Sequence, residues 1–372
     1  MATRISPFLF APLLGLALTG QSPPPSAATP AAPASTPDAR EAIQAAAGHA
    51  LQGDMAPALA ALRSVPADQF AGPGAALRTC ILDRFGESAQ EPALANLPPL
   101  AAHALTFYRA YWRAALLAPG SRDAQEESLR SGLAILLGLA PTTAMDAIET
   151  ALGARLEAEG VHALTGVTAP LRELMLWRSQ TAEDRAVALP EGVHATHVVL
   201  LDDFVSYGWA GYATCDRSIT GGWVRPDGIY AVRPGWGDLN DEPYLVSFLG
   251  HESQHFADKE RFGELASWEL EYRAKLTELA LADRTLARLL DAFAHNQSDD
   301  AAIPHSYANM RVLAALRLRL GLAADASLDG VAPAAIRAAA IAELRADSAR
   351  RTAGRNAGAL GRNRARPGRS SR

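Results

Sequence analysis

The feature that most constrains this chain is a change in its hydrophobic pattern near residue 190. From about residue 39 to residue 185, apolar side chains recur at steps of three and four residues, interrupted by Gly and Pro. This spacing predicts a succession of amphipathic helices, the last of them over residues 170–179. Because no fixed period of roughly 34 residues is present, we expect a helical domain over residues 39–188 and not a regular solenoid.

Beyond residue 190 the chain becomes rich in Val, Tyr, Trp and Thr, which favour strands. A Pro-Asp-Gly turn at 226–228 separates two short apolar runs, as such turns do in hairpins. Residues 241–262 and about 264–293 then return to helical spacing. We therefore predict a mostly helical α+β fold, in which the helical domain precedes a domain over residues 189–345 with a small antiparallel sheet.

Both ends of the chain have compositions that do not predict a packed fold. A positive start, an apolar run and a small-residue cleavage site are typical of a secretory signal peptide over residues 1–28. An uncleaved anchor is the alternative, although the apolar run is short for a spanning helix. Residues 29–38 form a Pro/Ala-rich linker, and residues 346–372 are predicted to be a disordered, Arg-rich tail.

Length and charge exclude some classes of protein. A chain of 372 residues with 49% apolar side chains can bury a full core, which excludes fibrous and wholly disordered proteins. The net charge is -5, but residues 350–372 carry eight arginines and no acid, so the rest of the chain carries -13. We expect no nucleic acid partner for this acidic folded part. The tail would meet an anionic surface or, as the favoured alternative, only solvent.

The two cysteines, Cys80 and Cys215, allow two interpretations. They are compatible with one disulfide in an oxidising compartment, or with two buried free thiols. The chain has no C-x-x-C spacing, no Gly-rich phosphate loop between a strand and a helix, and no G-x-S-x-G turn. The corresponding redox, nucleotide-binding and serine hydrolase functions are therefore not predicted.

The strongest chemical signal is the sequence HESQH, which contains His251, Glu252 and His255. On a helix, two histidines four residues apart lie on one face and can bind one Zn²⁺ ion, with Glu252 beside them as a general base. The motif alone also occurs by chance. Here the apolar residues Phe248 and Phe256 surround it, which indicates a partly buried helix and favours a functional role.

Four glutamates follow that could supply a third ligand. They are Glu264, Glu269, Glu271 and Glu278. If Gly263 is the turn of a helical hairpin, His255 and Glu271 each lie eight residues from it, about 12 Å along their helices at 1.5 Å per residue. Glu271 is therefore the favoured ligand and Glu269 the alternative. Both have a basic residue at i+4, the pattern of an exposed ion pair.

The run from His251 to His255, followed by Glu271 and Ala274, resembles the gluzincin metallopeptidases. In that family the third zinc ligand is a Glu on a second helix, often followed three residues later by Ala. The resemblance implies a zincin-like domain with an HExxH active-site helix, a bound Zn²⁺ ion, and hydrolysis of peptide bonds. It also implies that Asp258 orients an imidazole. Lys275 departs from the pattern, because many gluzincins have Asp there.

A group that stabilises the oxyanion is expected from the segment that begins the next helix. His305 and Tyr307 are the candidates, since a loop can bring them over the zinc. The alternative is that each is a helix cap or a packing residue. We take His305 as the predicted catalytic partner of Glu252.

These features together predict an exported zinc metallopeptidase, periplasmic or secreted, that acts on a peptide or protein. After removal of the signal peptide we expect no stable membrane insertion. One alternative is a helical binding or scaffold protein of the cell envelope, in which the zinc motif is structural or vestigial. Another is a zinc hydrolase that acts on a cell-wall amide.

Overall fold

A computed structural model describes residues 34–86, 91, 94 and 96–364, with side chains up to residue 353. The predicted signal peptide, residues 29–33 of the linker and residues 365–372 of the predicted tail lie outside the described residues. The described chain is mostly helical and contains a curled, mixed five-stranded sheet. This confirms the α+β class and the high helical content. The sheet is mixed, whereas we expected a small antiparallel one.

The elements follow one another in a helical, a sheet-containing and a second helical region. The first helices are α1 (Pro37–Leu51), α2 (Met55–Arg63), α3 (Gly72–Phe85), α4 (Pro99–Leu117), α5 (Arg122–Leu137) and α6 (Met145–Ala158). Then come β1 (His162–Thr168), β2 (Leu171–Leu189), β3 (Gly192–Tyr207), α7 (Gly208–Thr214), β4 (Gly222–Arg225) and β5 (Gly228–Val232). The last helices are α8 (Glu242–Tyr244), α9 (His251–Phe262), α10 (Ser267–Leu281), α11 (Leu286–His295), α12 (Pro304–Arg319) and α13 (Pro333–Arg364).

The chain divides into two compact units. Within the described part of the chain, the first unit comprises the residues up to 180 and residues 201–220, and the second comprises residues 181–200 and the residues from 221 onwards. The long strands β2 and β3 each contribute residues to both units, so the units do not follow the predicted division at residue 188. Helices α1–α6 build the core of the first unit. In the second unit, α10, α12 and α13 share one apolar cluster, and β5 packs with the segment before α9 in another.

The helix predicted over residues 170–179 is wrong, because these residues begin strand β2. The strand order in the sheet is β1-β2-β3-β5-β4. Residues 162–168 of β1 pair antiparallel with residues 171–177 of β2, and β4 pairs antiparallel with β5. Most side chains from Leu171 to Trp177 are buried on both faces of β2. A short, nearly continuous apolar run of this kind does not distinguish a buried strand from a helix by its periodicity.

The predicted disordered tail begins too early, because α13 continues to Arg364. Arg350 pairs with Glu343 at 2.6 Å, and Arg351 pairs with Asp347 at 2.6 Å. These ion pairs stabilise the helix itself, and Arg351 also pairs with Glu269 of α10 at 3.0 Å. Composition alone indicated a solvated run, since it does not show which acids lie on the preceding turns of the same helix.

Helix α9, which carries the HESQH sequence, is entered through a π-helical turn over residues 245–250. The helical segment predicted over residues 241–262 is confirmed, with α8 and this turn preceding α9. The single helix predicted over about residues 264–293 is instead two helices, α10 and α11. π-Helical turns are frequent at functional sites, because the extra residue changes which side chains face a neighbour.

Cys80 and Cys215 form a disulfide within the first unit. Of the two interpretations that the sequence left open, the structure therefore shows the disulfide. Among the helices of the described segments, none is both long and apolar enough to cross a membrane.

Candidate metal centre

The predicted metal ligands come together on two neighbouring helices of the second unit. His251 and His255 lie one turn apart on α9, and Glu271 lies on α10. The Oε1 atom of Glu271 is 3.4 Å from Nε2 of His255, and its Oε2 atom is 3.5 Å from Nε2 of His251. Each side chain offers a donor atom within 4.8 Å of the other two, so the group could hold a metal ion.

Two glycines allow the helices to approach in this way. Gly263 ends α9 with a φ of +77°, a left-handed conformation that glycine adopts without steric cost, and α10 then runs beside α9. The turn brings His255 and Glu271 to the same level, as the spacing predicted. At the start of α9, a Cβ atom on Gly250 would lie 3.2 Å from Cδ1 of Leu281, which is tighter than an ordinary contact. Gly250 therefore lets α10 pack closely.

The imidazoles around Glu271 keep its buried carboxylate ionised. Burial raises the pKa of Glu271, but the charge of His251 and the close polar contacts with His251, His255 and His305 hold it well below its ordinary value. Burial lowers the pKa of His251, yet the carboxylates of Glu271 and Glu278 raise it well above its ordinary value. The carboxylate is thus already an anion, the form in which it binds a metal.

Glu278 supports His251 through the second ring nitrogen. The Oε1 atom of Glu278 is 2.7 Å from Nδ1 of His251, while Nε2 of the same ring faces Glu271. A carboxylate on Nδ1 orients the ring and leaves Nε2 as the metal donor. From the sequence, Glu278 was only one of four possible ligands. Its signal was its spacing, since it follows Glu271 by seven residues, two helical turns on the same face.

Neighbouring contacts explain the roles of two other residues near the predicted ligand. Lys275 places its Nζ atom 4.6 Å from the centre of the Phe293 ring. Glu269 accepts a hydrogen bond of 2.9 Å from a backbone N–H at the start of α10, and it pairs with Arg351 at 3.0 Å. Glu269 is thus occupied at the helix terminus, and Glu271 is the glutamate that meets the histidines.

Asp258 lies in a buried polar network between α9 and α10. Its Oδ1 atom is 2.9 Å from Nε of Arg273 and accepts a hydrogen bond of 2.9 Å from Gln254. Thr277 in turn donates a hydrogen bond of 2.8 Å to Gln254. The resemblance implied that Asp258 orients an imidazole, but the Nδ1 atom of His255 has no hydrogen-bond partner among the described side chains. Asp258 instead ties α9 to α10 through Arg273.

The two candidates for oxyanion stabilisation have different surroundings. His305, near the start of α12, has its Nδ1 atom 2.8 Å from Oε2 of Glu271. Tyr307 packs edge to face against Trp268, with ring centres 5.2 Å apart. The structure thus brings His305 to the metal ligands, and it gives Tyr307 an aromatic packing partner.

The donor set and its spacing fit a zinc ion. Zinc in proteins is bound by imidazole nitrogen and carboxylate oxygen at about 2.0–2.2 Å, so neighbouring donors of a tetrahedral site lie about 3.3 Å apart. Each oxygen of Glu271 lies at about this spacing from one Nε2 atom, at 3.4 Å and 3.5 Å, and one donor atom from each of the three side chains lies within 4.8 Å of the others. Glu252 lies beside the group, with Oε2 4.0 Å from Nε2 of His255.

No protein-family model, curated protein or solved structure matches this chain. What can be inferred about its function therefore depends on its own residues and their geometry.

Proposed function

We propose that this protein is an exported zinc-dependent metallopeptidase of gluzincin type, with a zincin-like second domain. The observation that carries the proposal is the buried group of His251, His255 and Glu271. Two imidazoles and one carboxylate are the protein ligands of many catalytic zinc sites, which keep a position open for water. A site built only for structure usually has four protein ligands, whereas the group found among the described residues has three.

The side chains of the site would divide the work of hydrolysis. His251 and His255 would hold the zinc through Nε2, and Glu271 would complete the set of protein ligands. Zinc supplies Lewis acidity, which lowers the pKa of a bound water towards 7 and polarises a carbonyl group. Glu252, whose Oε2 atom lies 4.0 Å from Nε2 of His255, would act as the general base and later as the proton donor to the leaving amine.

The substrate and the location are also part of the proposal. Peptide bonds are the favoured substrate because the constellation resembles the gluzincin site, which is an argument from analogy. Export is supported by the signal-like sequence of residues 1–28, and the disulfide between Cys80 and Cys215 is compatible with an oxidising compartment. The protein would then act in the periplasm or outside the cell.

One observation favours the rival function, a helical envelope protein without catalytic activity. His251 lies between two carboxylates, and Glu271 lies among three histidines, so their charges already compensate one another in the absence of a metal. Such a cluster could stabilise the packing of α9 against α10 without catalysing a reaction. Metal content therefore separates the two functions.

Zinc measured by mass spectrometry on the purified full chain tests the proposal. We expect one zinc per chain, a loss of zinc in His255→Ala, and retention of zinc in Glu252→Gln. Peptide hydrolysis should fall in Glu252→Gln by at least about 100-fold, the usual contribution of a general base. Absence of zinc from the wild-type protein would overturn the proposal. Hydrolysis of cell-wall fragments but not of peptides would assign the site to the cell-wall amide alternative.

A further inference from the structure

The two oxygens of Glu271 have different neighbours. Oε1 lies 3.4 Å from Nε2 of His255. Oε2 lies 3.5 Å from Nε2 of His251 and only 2.8 Å from Nδ1 of His305, a close polar contact, although Oε2 makes no regular hydrogen bond within the described structure. The carboxylate is therefore held from outside the HESQH helix as well, by a residue on α12.

The backbone that carries His305 is itself well fixed. Pro304 begins α12, where its ring favours the helical φ angle. The next residue after His305, Ser306, donates a hydrogen bond of 2.7 Å to the side chain of Asn296. Asn309 donates another of 2.7 Å to the backbone carbonyl of the same asparagine. Both donors are buried, so the start of α12 is tied to the end of α11 on either side of the loop.

We propose that His305 is a positioning residue, which fixes the carboxylate of Glu271 and so sets the affinity of the site for zinc. This inference rests on the proposed zinc site, and it replaces the predicted oxyanion role of His305. The carboxylate of Glu271 is only 10% exposed, so few water molecules can substitute for a lost donor. Residues that hold a metal ligand in this way commonly contribute about 10- to 100-fold to metal affinity.

The two roles of His305 predict different measurements. A residue that stabilises the oxyanion acts on the transition state, so its loss lowers kcat and leaves zinc affinity unchanged. A residue that positions Glu271 acts on the ligand set, so its loss weakens zinc binding even without a substrate. The dissociation constant for zinc, measured by competition with a chelator, is therefore the deciding quantity.

The test compares His305→Phe, His305→Asn and His305→Gln in the full chain. Phe removes the donor, whereas the amide nitrogen of Asn can occupy the place of Nδ1 and that of Gln the place of Nε2. We expect zinc affinity about 10- to 100-fold weaker in His305→Phe and in His305→Gln, and close to wild type in His305→Asn. His295→Phe is the matched control, because the His295 side chain is 79% exposed and its charged neighbour is Asp291, at 3.2 Å.

Each outcome supports or overturns the inference. Wild-type zinc affinity in His305→Phe, together with a reduced kcat, would overturn it and restore the oxyanion role. Wild-type protein that binds no zinc would overturn the proposed function, and this inference with it. If His305→Phe does not fold, the comparison of the Asn and Gln variants still decides, since affinity retained by Gln and lost by Asn would contradict contact through Nδ1.

Discussion

Both units of the molecule bury glutamates, but the pKa of the buried carboxyl group is shifted in opposite directions in the two units. In the first unit, Glu173 accepts hydrogen bonds from the backbone N–H groups of Leu174 and Trp209, at 3.1 Å and 3.0 Å. Burial nevertheless raises the pKa of Glu173 to about 7. In the second unit, Glu271 is also buried, yet its pKa lies well below the ordinary value because the charge of His251 and the contacts with the surrounding imidazoles favour the ionised carboxylate.

The difference shows what a buried carboxylate is suited for. Glu149 of the first unit accepts a hydrogen bond of 3.1 Å from Tyr108, and burial raises its pKa to about 7 as well, although Arg172 lies 3.4 Å away. Near neutral pH such groups can take up a proton and remain packed. Glu271 stays an anion under the same conditions, which is the requirement for a metal ligand.

The largest expected difference is in zinc affinity, when a buried glutamate of each unit is replaced by glutamine. In Glu271→Gln the site loses its anionic ligand, so zinc affinity should fall by more than the roughly 100-fold typical of a supporting residue. In Glu173→Gln zinc affinity should be unchanged, because this residue belongs to the first unit. Chelator competition on both variants measures the contrast. Equal affinity in Glu271→Gln and the wild type would exclude Glu271 as a ligand.

The next largest effect is expected in the pH dependence of the free energy of unfolding, through Glu173 of the first unit. The pKa of Glu173 rises from 4.5 to about 7 on folding, so the folded state retains a proton that the unfolded state releases in this window. The contribution of Glu173 to the free energy of unfolding is therefore most favourable below pH 4.5 and decreases as pH rises through about 7. A shift of this size corresponds to roughly 3 kcal/mol.

Urea denaturation of the wild type and Glu173→Gln, at pH 5 and pH 8, tests this expectation. Glutamine does not titrate, so the variant should lose less stability than the wild type between the two pH values. The variant should be the more stable protein at pH 8. A parallel decline in both proteins would show that Glu173 does not bind a proton on folding.

A smaller effect is expected from the residue that supports His251. Glu278→Ala removes the acceptor from Nδ1, and zinc affinity should fall by about 10-fold. Glu278→Gln keeps an oxygen acceptor and should fall less. If both variants bind zinc as the wild type does, Glu278 supports the packing of α10 and not the metal ligand.

The smallest effect is expected at Glu269, the rejected ligand. Glu269→Ala removes the hydrogen bond at the start of α10 and the pair with Arg351, which should lower the free energy of unfolding by about 1 kcal/mol or less. Its zinc content should equal that of the wild type. Loss of zinc in this variant, with zinc retained in Glu271→Gln, would reverse the assignment of the third ligand.

The sequence predicted more of the candidate site than of the fold around it. The spacing of His251 and His255, and the equal distances of His255 and Glu271 from Gly263, depend on helix geometry alone, which is the same in any protein. The contact of His305 with Glu271 depends on where α12 begins relative to α10, and no local pattern specifies that. Glu278 lies seven residues after Glu271, on the same helical face, but Glu264 lies seven residues before it, so this spacing alone did not single out Glu278 as the partner of His251.

Strand β2 shows the same limit in the fold. Residues 171–177 are apolar at most positions, so their periodicity does not distinguish a helix from a strand, and antiparallel pairing with β1 makes them a strand. What the sequence determined by itself was local: helical periodicity, the mostly helical class, and two histidines on one face of α9. Tertiary structure decided that His305 meets the carboxylate of Glu271, and it decided whether burial raises the pKa of a given glutamate, because both depend on neighbours that the fold alone brings together.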